Sequence, residues 1–368
     1  MKIIAFYLPQ FHEIPENDEW WGKGFTEWTN LKKAKPLFPG HYQPRKPLGG
    51  NYYDLLDPAV QEWQATIAQS HGIYGFCYYH YWFGGHMLLQ KPAENMLARP
   101  SVSMPFCFCW ANENWTKAWV SQKNTVLISE TFGNEQEWIK HFEYLKPFFL
   151  DKRYIKYGNK PLFIIYRPEL IDCLPQMLEC WNSLAIKAGF DGVCFAFQQR
   201  SYHLSAHYDP SLFDFEIEYQ PGFSEFDMNK RFPKLRKIYR SLSLFAEKHL
   251  HIDARFLFDK KLSKLDYDEI WKEILSHEPE SPKSIAGAFV DWDNTPRRGE
   301  KGSVIVGASP EKFKTYFSQQ ISHVVHSYST DFLFIFAWNE WSEGGYLEPD
   351  EKFGYSYLEA IKESLKIQ

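Results

Sequence analysis

The chain has 368 residues, 44% of them hydrophobic and 24% charged, which is enough for a large core in one barrel-sized domain. A formal net charge of −5 leaves no excess of basic residues for a nucleic-acid partner. No apolar run approaches the roughly 20 residues that cross a bilayer, and the apolar run after Met1-Lys2 is too short for a signal peptide. We therefore expect a cytoplasmic protein without a membrane span, unless a leader has been removed.

Eight short apolar runs, most of them separated by helical stretches, are the main repeating feature of the chain. The runs are Lys2–Pro9, Tyr74–His80, Pro105–Asn112, Pro161–Arg167, Val193–Gln199, Phe215–Gln220, Ala286–Asp293 and Phe332–Trp338. Helices are predicted at Pro58–His71, Glu135–Leu145, Pro175–Ala188, Pro310–His326 and Tyr355–Leu365. Several runs are apolar throughout, which is typical of parallel strands buried on both faces.

Eight β–α units of this kind predict an α/β fold, a (β/α)8 TIM barrel with long βα loops that fills residues 1–368 as one domain. An open doubly wound sheet is the alternative, but it would favour a glycine-rich turn after the first strand. The sequence there is Leu8-Pro9-Gln10-Phe11-His12. The long segment 223–278 is predicted to be a helical insertion in the sixth crossover. Its basic residues are interpreted as a solvated helix face: Lys230, Arg231, Lys234, Arg236, Lys237 and Arg240.

Six cysteines are present, and none belongs to a CxxC pair. Four of them, Cys77, Cys107, Cys109 and Cys194, fall inside strand-like runs, where a free thiol behaves as a small hydrophobic group. Cys173 and Cys180 fall in the region of a predicted helix, Pro175–Ala188. We expect all six to be reduced, as in a reducing compartment.

Aromatic and planar polar side chains follow nearly every predicted strand, where a barrel places its reactive groups. Aromatic residues make up 18% of the chain and include 14 tryptophans. Indole faces stack on sugar rings, and planar amides, carboxylates and guanidinium groups match vicinal hydroxyls. The predicted substrate-binding residues from this pattern are His12, Trp28, His80, Trp110, Asn112, Glu113, Arg167, Glu218, Asp293, Arg297, Trp338 and Asn339.

Two glutamates three positions apart, Glu340 and Glu343, follow the eighth strand. Cleavage of a glycosidic bond needs two carboxyl groups, one as acid and one as base or nucleophile. A helical turn would put both on one face, and Trp338 and Trp341 would desolvate one of them and raise its pKa. Alternatively, Glu343 caps a helix or pairs with a surface arginine. We predict that Glu340 and Glu343 are the catalytic residues.

Other acidic residues compete for a chemical role. Glu113 and Glu218 are the rival carboxylates. Asp291 and Asp293 form a DxD pattern, which could hold a metal ion, but we favour substrate contact by Asp293 and Arg297. The histidines show no metal-ligand spacing, and no P-loop, GxGxxG or GxSxG motif is present. We therefore expect neither a metal nor a cofactor.

Six stretches carry a resemblance to a known family. They are Ala5–His12, Trp20–Trp28, Tyr79–Phe83, Cys109–Trp115, Asp291–Arg297 and Ala337–Gly344. Together they resemble the WbsX-like family of polysaccharide-biosynthesis proteins, over nearly the whole chain. That family is related to the endo-α-mannosidases of glycoside hydrolase family 99, mainly through the Asn-Glu-Trp-x-Glu loop and the barrel.

The resemblance implies a retaining mechanism in which Glu340 deprotonates the sugar 2-hydroxyl, which attacks C1. Glu343 would protonate the leaving oxygen, and Asn339 would bind the sugar. Tyr7, Tyr81, Tyr166 and Trp292 would be further ring contacts. This chemistry requires a 2-hydroxyl anti to the leaving group, as in α-mannosides and α-rhamnosides.

Three functions remain open from the sequence. The first is a retaining α-glycoside hydrolase or transglycosylase, expected to be monomeric, acting on a cell-surface polysaccharide such as lipopolysaccharide or capsule. The second is a nucleotide-sugar glycosyltransferase, which a bound nucleotide diphosphate or a metal at Asp291 and Asp293 would favour. The third is a non-catalytic glycan-binding protein, in which sugar affinity would survive Glu340→Gln.

Overall fold

A computed structural model describes residues 1–116, 126–199, 209–228 and 262–366. Its main feature is a closed barrel of eight parallel strands. The strands are β1 Lys2–Tyr7, β2 Ile73–Phe83, β3 Phe106–Trp110, β4 Lys160–Ile165, β5 Cys194–Gln199, β6 Phe215–Glu218, β7 Ser284–Phe289 and β8 Phe332–Phe336. Each strand pairs with the next in the chain, and β8 closes on β1. The predicted (β/α)8 fold is confirmed.

Helices connect and surround these strands. They are α1 Pro15–Trp21, α2 Glu27–Lys33, α3 Pro58–Ser70, α4 Lys91–Leu97, α5 Glu135–Leu150, α6 Leu174–Lys187, α7 Gly222–Met228, α8 Tyr267–Ser276, α9 Thr295–Arg298, α10 Pro310–Ser327 and α11 Ser356–Lys366. Two of the long ones, α3 and α10, begin at side-chain caps: Asp57 and Ser309 accept backbone N–H groups ahead of prolines at the first helical position. Within the described ranges, no helix has the length and apolarity needed to span a membrane.

The barrel interior is largely aromatic. Every residue of β8 is buried, and the rings of Phe6, Tyr79 and Tyr219 meet inside the barrel. All six cysteines lie in described ranges and are free thiols, four of them fully buried, as expected. This packed interior fixes the carboxyl ends of the strands, from which the long loops project.

Strand β2 is longer than predicted. The sequence pattern ends it at His80, whereas it continues to Phe83 and folds back as a hairpin onto His86–Leu88. The turn is Gly84-Gly85, with φ of +55° and +96°, and paired positive φ values are what a two-residue hairpin turn requires. Three further β-forming aromatic residues therefore extend the strand instead of beginning a loop.

The predicted insertion at 223–278 is described only at its two ends. Helix α7 begins it, and a short strand, Ser263–Asp266, precedes α8 and pairs in parallel with Ser303–Val306. The basic residues Lys230, Arg231, Lys234, Arg236, Lys237 and Arg240 lie outside the described residues. The single-domain assignment of residues 1–368 remains a prediction.

Candidate active site

The loop after β8 brings the two predicted acids together. Residues Asn339–Glu340 pair in antiparallel fashion with Gly345–Tyr346, and a single 3₁₀ turn, Trp341–Glu343, closes the hairpin. Side chains three apart in a 3₁₀ turn eclipse one another, so Glu340 and Glu343 project from the same side. A helical turn was the condition for placing both acids on one side, and the loop contains such a turn.

One guanidinium group joins both acids to a third carboxylate. Arg297 donates from Nη1 to Glu343 Oε1 at 2.7 Å and from Nη2 to Glu340 Oε2 at 3.1 Å. The same Nη2 lies 2.8 Å from Glu27 Oε1, at the start of α2. Loops after strands β1, β7 and β8 therefore meet at Arg297.

Burial separates the environments of the two acids. Glu340 is only 5% exposed, whereas the Glu343 side chain keeps 21% of its surface accessible. Desolvation raises the pKa of Glu340 well above its usual range, Arg297 opposes this rise, and Glu343 and Glu27 add to it. Burial works against the charge of Arg297, but the three carboxylates outweigh it and raise the pKa of that guanidinium.

A shallow depression opens beside this cluster. Aromatic and planar polar side chains line it: Gln10, Trp21, Phe25, Glu27, Asn30, Trp115 and Arg297. Arg297, which binds both acids, and Glu27 form part of its wall, so the depression is linked to Glu340 and Glu343 through these two residues. Its mixture of indole faces, amides and charges is suited to a hydroxylated ring.

Asn339 is held by Leu8, the residue that directly follows the first strand of the barrel. Its Oδ1 accepts from Leu8 N at 2.8 Å, and its Nδ2 donates to Leu8 O at 3.0 Å. Asn339 has no exposed surface. Its amide is therefore directed at the backbone, and the position that it fixes is that of the adjoining Glu340.

The buried carboxylate of Glu348 holds Trp341, the residue that directly follows Glu340. Glu348 accepts from Trp341 Nε1 at 2.7 Å, from Tyr53 OH at 2.8 Å and from Gln64 Nε2 at 2.6 Å. Burial raises the pKa of Glu348 to about 7, and the three hydrogen bonds limit that rise. Predicted site residue Tyr7 joins this network by donating to Gln64 Oε1 at 2.7 Å.

Asp293 of the DxD pair stabilises the loop after β8 that carries Glu340 and Glu343, called here the acidic loop. Asp293 Oδ2 lies 2.8 Å from His41 Nε2 and accepts from Gln43, while Oδ1 accepts from the backbone and hydroxyl of Thr295. Despite burial, these bonds and the charge of Arg45 lower the pKa of Asp293 to about 2. Asp293 is fully buried, so its oxygens serve the protein, not a ligand at the surface. Its backbone N–H donates to Glu343 O at 2.7 Å.

Arg45 completes this brace. Its guanidinium pairs with Asp291 at 2.8 Å and donates to Gly344 O at 3.2 Å. Gly344 ends the 3₁₀ turn with φ of +71°, and a Cβ there would lie 2.8 Å from Asp293 N. Only glycine fits this turn without strain.

The ends of β3 and β4 form a second polar group. The Asn112 side chain exchanges hydrogen bonds with the backbone of Arg167, at 2.7 and 2.8 Å. Arg167 in turn binds Glu113 and Glu169. The rival carboxylate Glu113 is therefore half-buried in an ion pair, and Asn112 positions the arginine.

Aromatic residues at the barrel mouth complete the neighbourhood of the acids. Tyr81 is buried against Trp115, and burial and the negative charge of Glu340 raise its pKa, an effect that Arg297 opposes. Tyr166 and Trp292 are partly exposed. Trp292 packs on Phe336 and donates to Ser303 Oγ at 2.9 Å.

The structure places other predicted residues away from this cluster. His80 pairs with His141 at 2.8 Å within an aromatic group that includes Trp110, and burial lowers the pKa of His80 to about 3. The hydroxyl of Tyr328, at the end of α10, donates its one proton to the Glu218 carboxylate and lies within 3.0 Å of both oxygens, so that carboxylate is directed at the helix layer.

Three further predicted residues are packed into the core. Trp338 is fully buried against Phe76, and Trp28 packs on Trp341 while its Nε1 donates to Tyr53 O. His12 is 1% exposed, and burial lowers its pKa. Trp28 thus supports the acidic loop from behind.

Sequence reasoning missed three residues of the site: Glu27, Arg45 and Glu348. Glu27 lies in the Trp20–Trp28 stretch that carried the family resemblance, so a signal for it was present. Arg45 and Glu348 follow no predicted strand and belong to no motif. Their roles depend on contacts between loops far apart in the chain.

Comparisons with known proteins agree with this architecture. The family model described as Glycosyltransferase WbsX matches residues 3–361. The protein WxcX from two strains of Xanthomonas campestris pv. campestris is 34% identical over 365 residues, which cover 99% of this chain and 49% of the relative. The chain thus spans about half the length of the curated relatives that it matches.

Solved structures share the fold at low sequence identity. A GH99 endo-α-mannosidase from Bacteroides thetaiotaomicron, in complex with bis-tris propane, superposes with a TM-score of 0.57 and 14% identity, covering 99% of this chain and 96% of that one. A structure described as a glycoside hydrolase-like protein has a TM-score of 0.55 and 11% identity, with coverage of 99% and 93%. These structures share the fold, and the family-model match over residues 3–361 shows that this protein belongs to the WbsX glycosyltransferase family.

Proposed function

We propose that this chain is a carbohydrate-active enzyme that cleaves or transfers α-glycosidic bonds with retention, in the metabolism of a cell-surface polysaccharide. The observation that carries the proposal is the convergence of Glu340 and Glu343 on Arg297, beside a depression walled by Trp21 and Trp115. Two carboxyl groups on one side of a loop, next to a surface for a sugar ring, are what glycoside chemistry requires.

The proposed first step uses both acids at once. Glu340 takes the proton of the 2-hydroxyl, O2 attacks C1, and the bond from C1 to the leaving oxygen breaks as Glu343 protonates that oxygen. In the second step, Glu343 deprotonates water or an acceptor hydroxyl, which opens the three-membered ring at C1 while Glu340 returns its proton to O2. Each step inverts C1, so the overall result is retention.

The accessibility of the two acids fits these roles. The acid must reach an oxygen that leaves towards solvent or an acceptor, and Glu343 is the more exposed of the pair. The base must be deprotonated to act, but burial favours the neutral form of Glu340. The positive charge of Arg297 opposes burial and favours the deprotonated carboxylate. We therefore assign Arg297 a role in keeping Glu340 deprotonated, in addition to any contact with substrate.

Transfer from a nucleotide sugar is the second candidate, favoured by the description of the family model. Such enzymes commonly hold the diphosphate through a metal on a DxD motif. Here Asp293 is saturated by His41, Gln43 and Thr295, which argues against that use. Asp291 pairs with Arg45.

A substrate screen tests the proposal. Wild type, Glu340→Gln and Glu343→Gln are incubated with α-mannosyl and α-rhamnosyl oligosaccharides, and in parallel with nucleotide sugars and acceptor glycans. We expect cleavage or transfer from the oligosaccharides by wild type and its loss in both variants. Turnover of nucleotide sugars alone would favour the glycosyltransferase, and activity that survives both substitutions would contradict the assignment of the acids.

A further inference from the structure

Glu27 lies outside the loop after β8, yet it contacts both Arg297 and the turn that carries Glu340 and Glu343. Its Oε1 accepts from Arg297 Nη2 at 2.8 Å and from the backbone N–H of Ser342 at 3.1 Å. Ser342 lies between the two acids in sequence, and its hydroxyl contacts Glu27 O at 3.3 Å. One buried carboxylate therefore touches both the shared arginine and the turn that carries Glu340 and Glu343.

The placement of Glu27 is rigidly determined. It is the first residue of α2, directly after a capping box formed by Thr26 and Thr29. Its backbone N–H donates to Gln10 O at 2.9 Å, and it is 2% exposed. A carboxylate fixed in this way, with little solvent around it, acts on its neighbours at low screening.

Charge counting gives Glu27 an electrostatic role. Arg297 faces three carboxylates and can neutralise only one negative charge. The groups that act on Glu340 are Arg297 from α9, Glu27 from α2 and Glu343 from its own loop, and Glu340 in turn acts on Tyr79 and Tyr81 of β2. Glu27 offsets part of the arginine's effect, so it makes Glu340 a stronger base than Arg297 alone would allow.

We propose that Glu27 is a positioning residue of the active centre, which holds Arg297 and the Ser342 amide in place and sets the basicity of Glu340. This inference rests on the proposed function of the two acids, and it adds a third carboxylate that acts through the arginine. A residue with only a structural role would affect stability without changing the titration of Glu340.

The test is a titration that needs no substrate. Glutamate labelled with ¹³C at the carboxyl carbon is incorporated into wild type, Glu27→Gln, Glu27→Ala and the control Glu19→Gln, and the Glu340 signal is assigned from its absence in Glu340→Gln. Glu19 is an exposed carboxylate of α1, in the same connection between β1 and β2. In Glu27→Gln and Glu27→Ala, the midpoint of Glu340 should fall by about one pH unit. The control should match wild type.

An unchanged midpoint in folded Glu27→Gln would overturn the inference. If that variant does not fold, Arg297→Gln tests the same charge balance, because removal of the guanidinium should move the midpoint upwards, and no movement would overturn the proposal. Once a substrate is known, the acidic limb of kcat/KM in Glu27→Gln should shift in the same direction. Activity that survives Glu340→Gln and Glu343→Gln would contradict the proposed function, whereas their inactivity with an unshifted Glu27→Gln would contradict this inference alone.

Discussion

Leu8 and Asn339 are 331 positions apart in the chain and are joined by a reciprocal pair of hydrogen bonds. This pair ties the loop after β1 to the residue before Glu340. Both partners are buried, so the bonds are shielded from water. The placement of the proposed base therefore depends on the closure of the barrel between its first and last strands.

Asn339→Ala is predicted to lower the free energy of unfolding by about 2 kcal/mol, because two buried backbone groups lose their partner. Urea denaturation measures the loss, with the exposed Asn51→Ala as control. If Asn339 instead serves as a sugar ligand, the variant should keep wild-type stability and lose only substrate affinity.

Glu348 should give the protein a pH-dependent stability near neutrality. Its pKa is about 7 in the folded chain, against an ordinary value of 4.5, so the folded state binds the proton more tightly than the unfolded state does. Its contribution is present below pH 4.5 and is lost as the pH rises to about 7, a difference of about 3 kcal/mol. Wild type should lose stability relative to Glu348→Gln across this window.

Denaturation curves between pH 4.5 and 8 check this prediction. The exposed Glu359→Gln is the matched control, and its curve should run parallel to that of wild type. A Glu348→Gln curve that is also parallel to wild type would show that the buried carboxylate does not titrate in this range.

Asp293 should have the opposite dependence on pH. Its folded pKa of about 2 lies below the ordinary 3.8, so its contribution is present above pH 3.8 and is lost as the pH falls towards 2. At neutral pH, Asp293→Asn should lose roughly 3 kcal/mol, because His41, Gln43 and Thr295 lose a charged partner.

The comparison is made by urea denaturation from pH 6 down to pH 3, with the surface variant Asp331→Asn as control. The gap between wild type and Asp293→Asn should narrow as the pH falls below 4. A constant gap would mean that packing, not charge, accounts for the loss.

Glu218 offers a test of the direction of its side chain. The Glu218 carboxylate accepts a hydrogen bond from Tyr328, at the end of α10, away from the two acids. Glu218→Gln and Tyr328→Phe should therefore each destabilise the fold by about 1 kcal/mol and leave glycan affinity unchanged. Thermal denaturation and calorimetric titration with a glycan substrate measure the two quantities. If Glu218→Gln instead keeps wild-type stability and loses affinity for the glycan, Glu218 binds substrate after all.

The sequence was sufficient for the barrel because each strand carries its own local signal. Runs such as Phe332–Phe336 are apolar throughout, and the helices between strands have caps and prolines at their starts. The pairing of Glu340 with Glu343 is also local, since a single turn separates them. These features need no knowledge of distant contacts.

The support of the site could not be predicted in the same way. Glu27, Arg45 and Glu348 act through partners from 7 to 315 positions away, and the distant partners become neighbours only when the barrel closes. Likewise, the sequence suggests that Asp293 binds substrate or a metal ion. In the structure, its Oδ2 is hydrogen-bonded to His41 and Gln43, about 250 positions earlier in the chain. Side-chain direction explains His80 and Glu218, which lie in strands β2 and β6 but contact residues outside the barrel, His141 and Tyr328.

The most direct measurement of the proposed pairing of Glu340 and Glu343 uses an α-glycosyl fluoride of the sugar that the screen identifies. Fluoride leaves without protonation, so only the base is needed for the first step. In the first turnover, before Glu343 is needed as the base of the second step, Glu343→Gln should release fluoride at a rate close to that of wild type while failing on the natural glycoside, and Glu340→Gln should fail on both. Equal losses on the fluoride in the two variants, or no loss in either, would contradict the division of roles between the two acids.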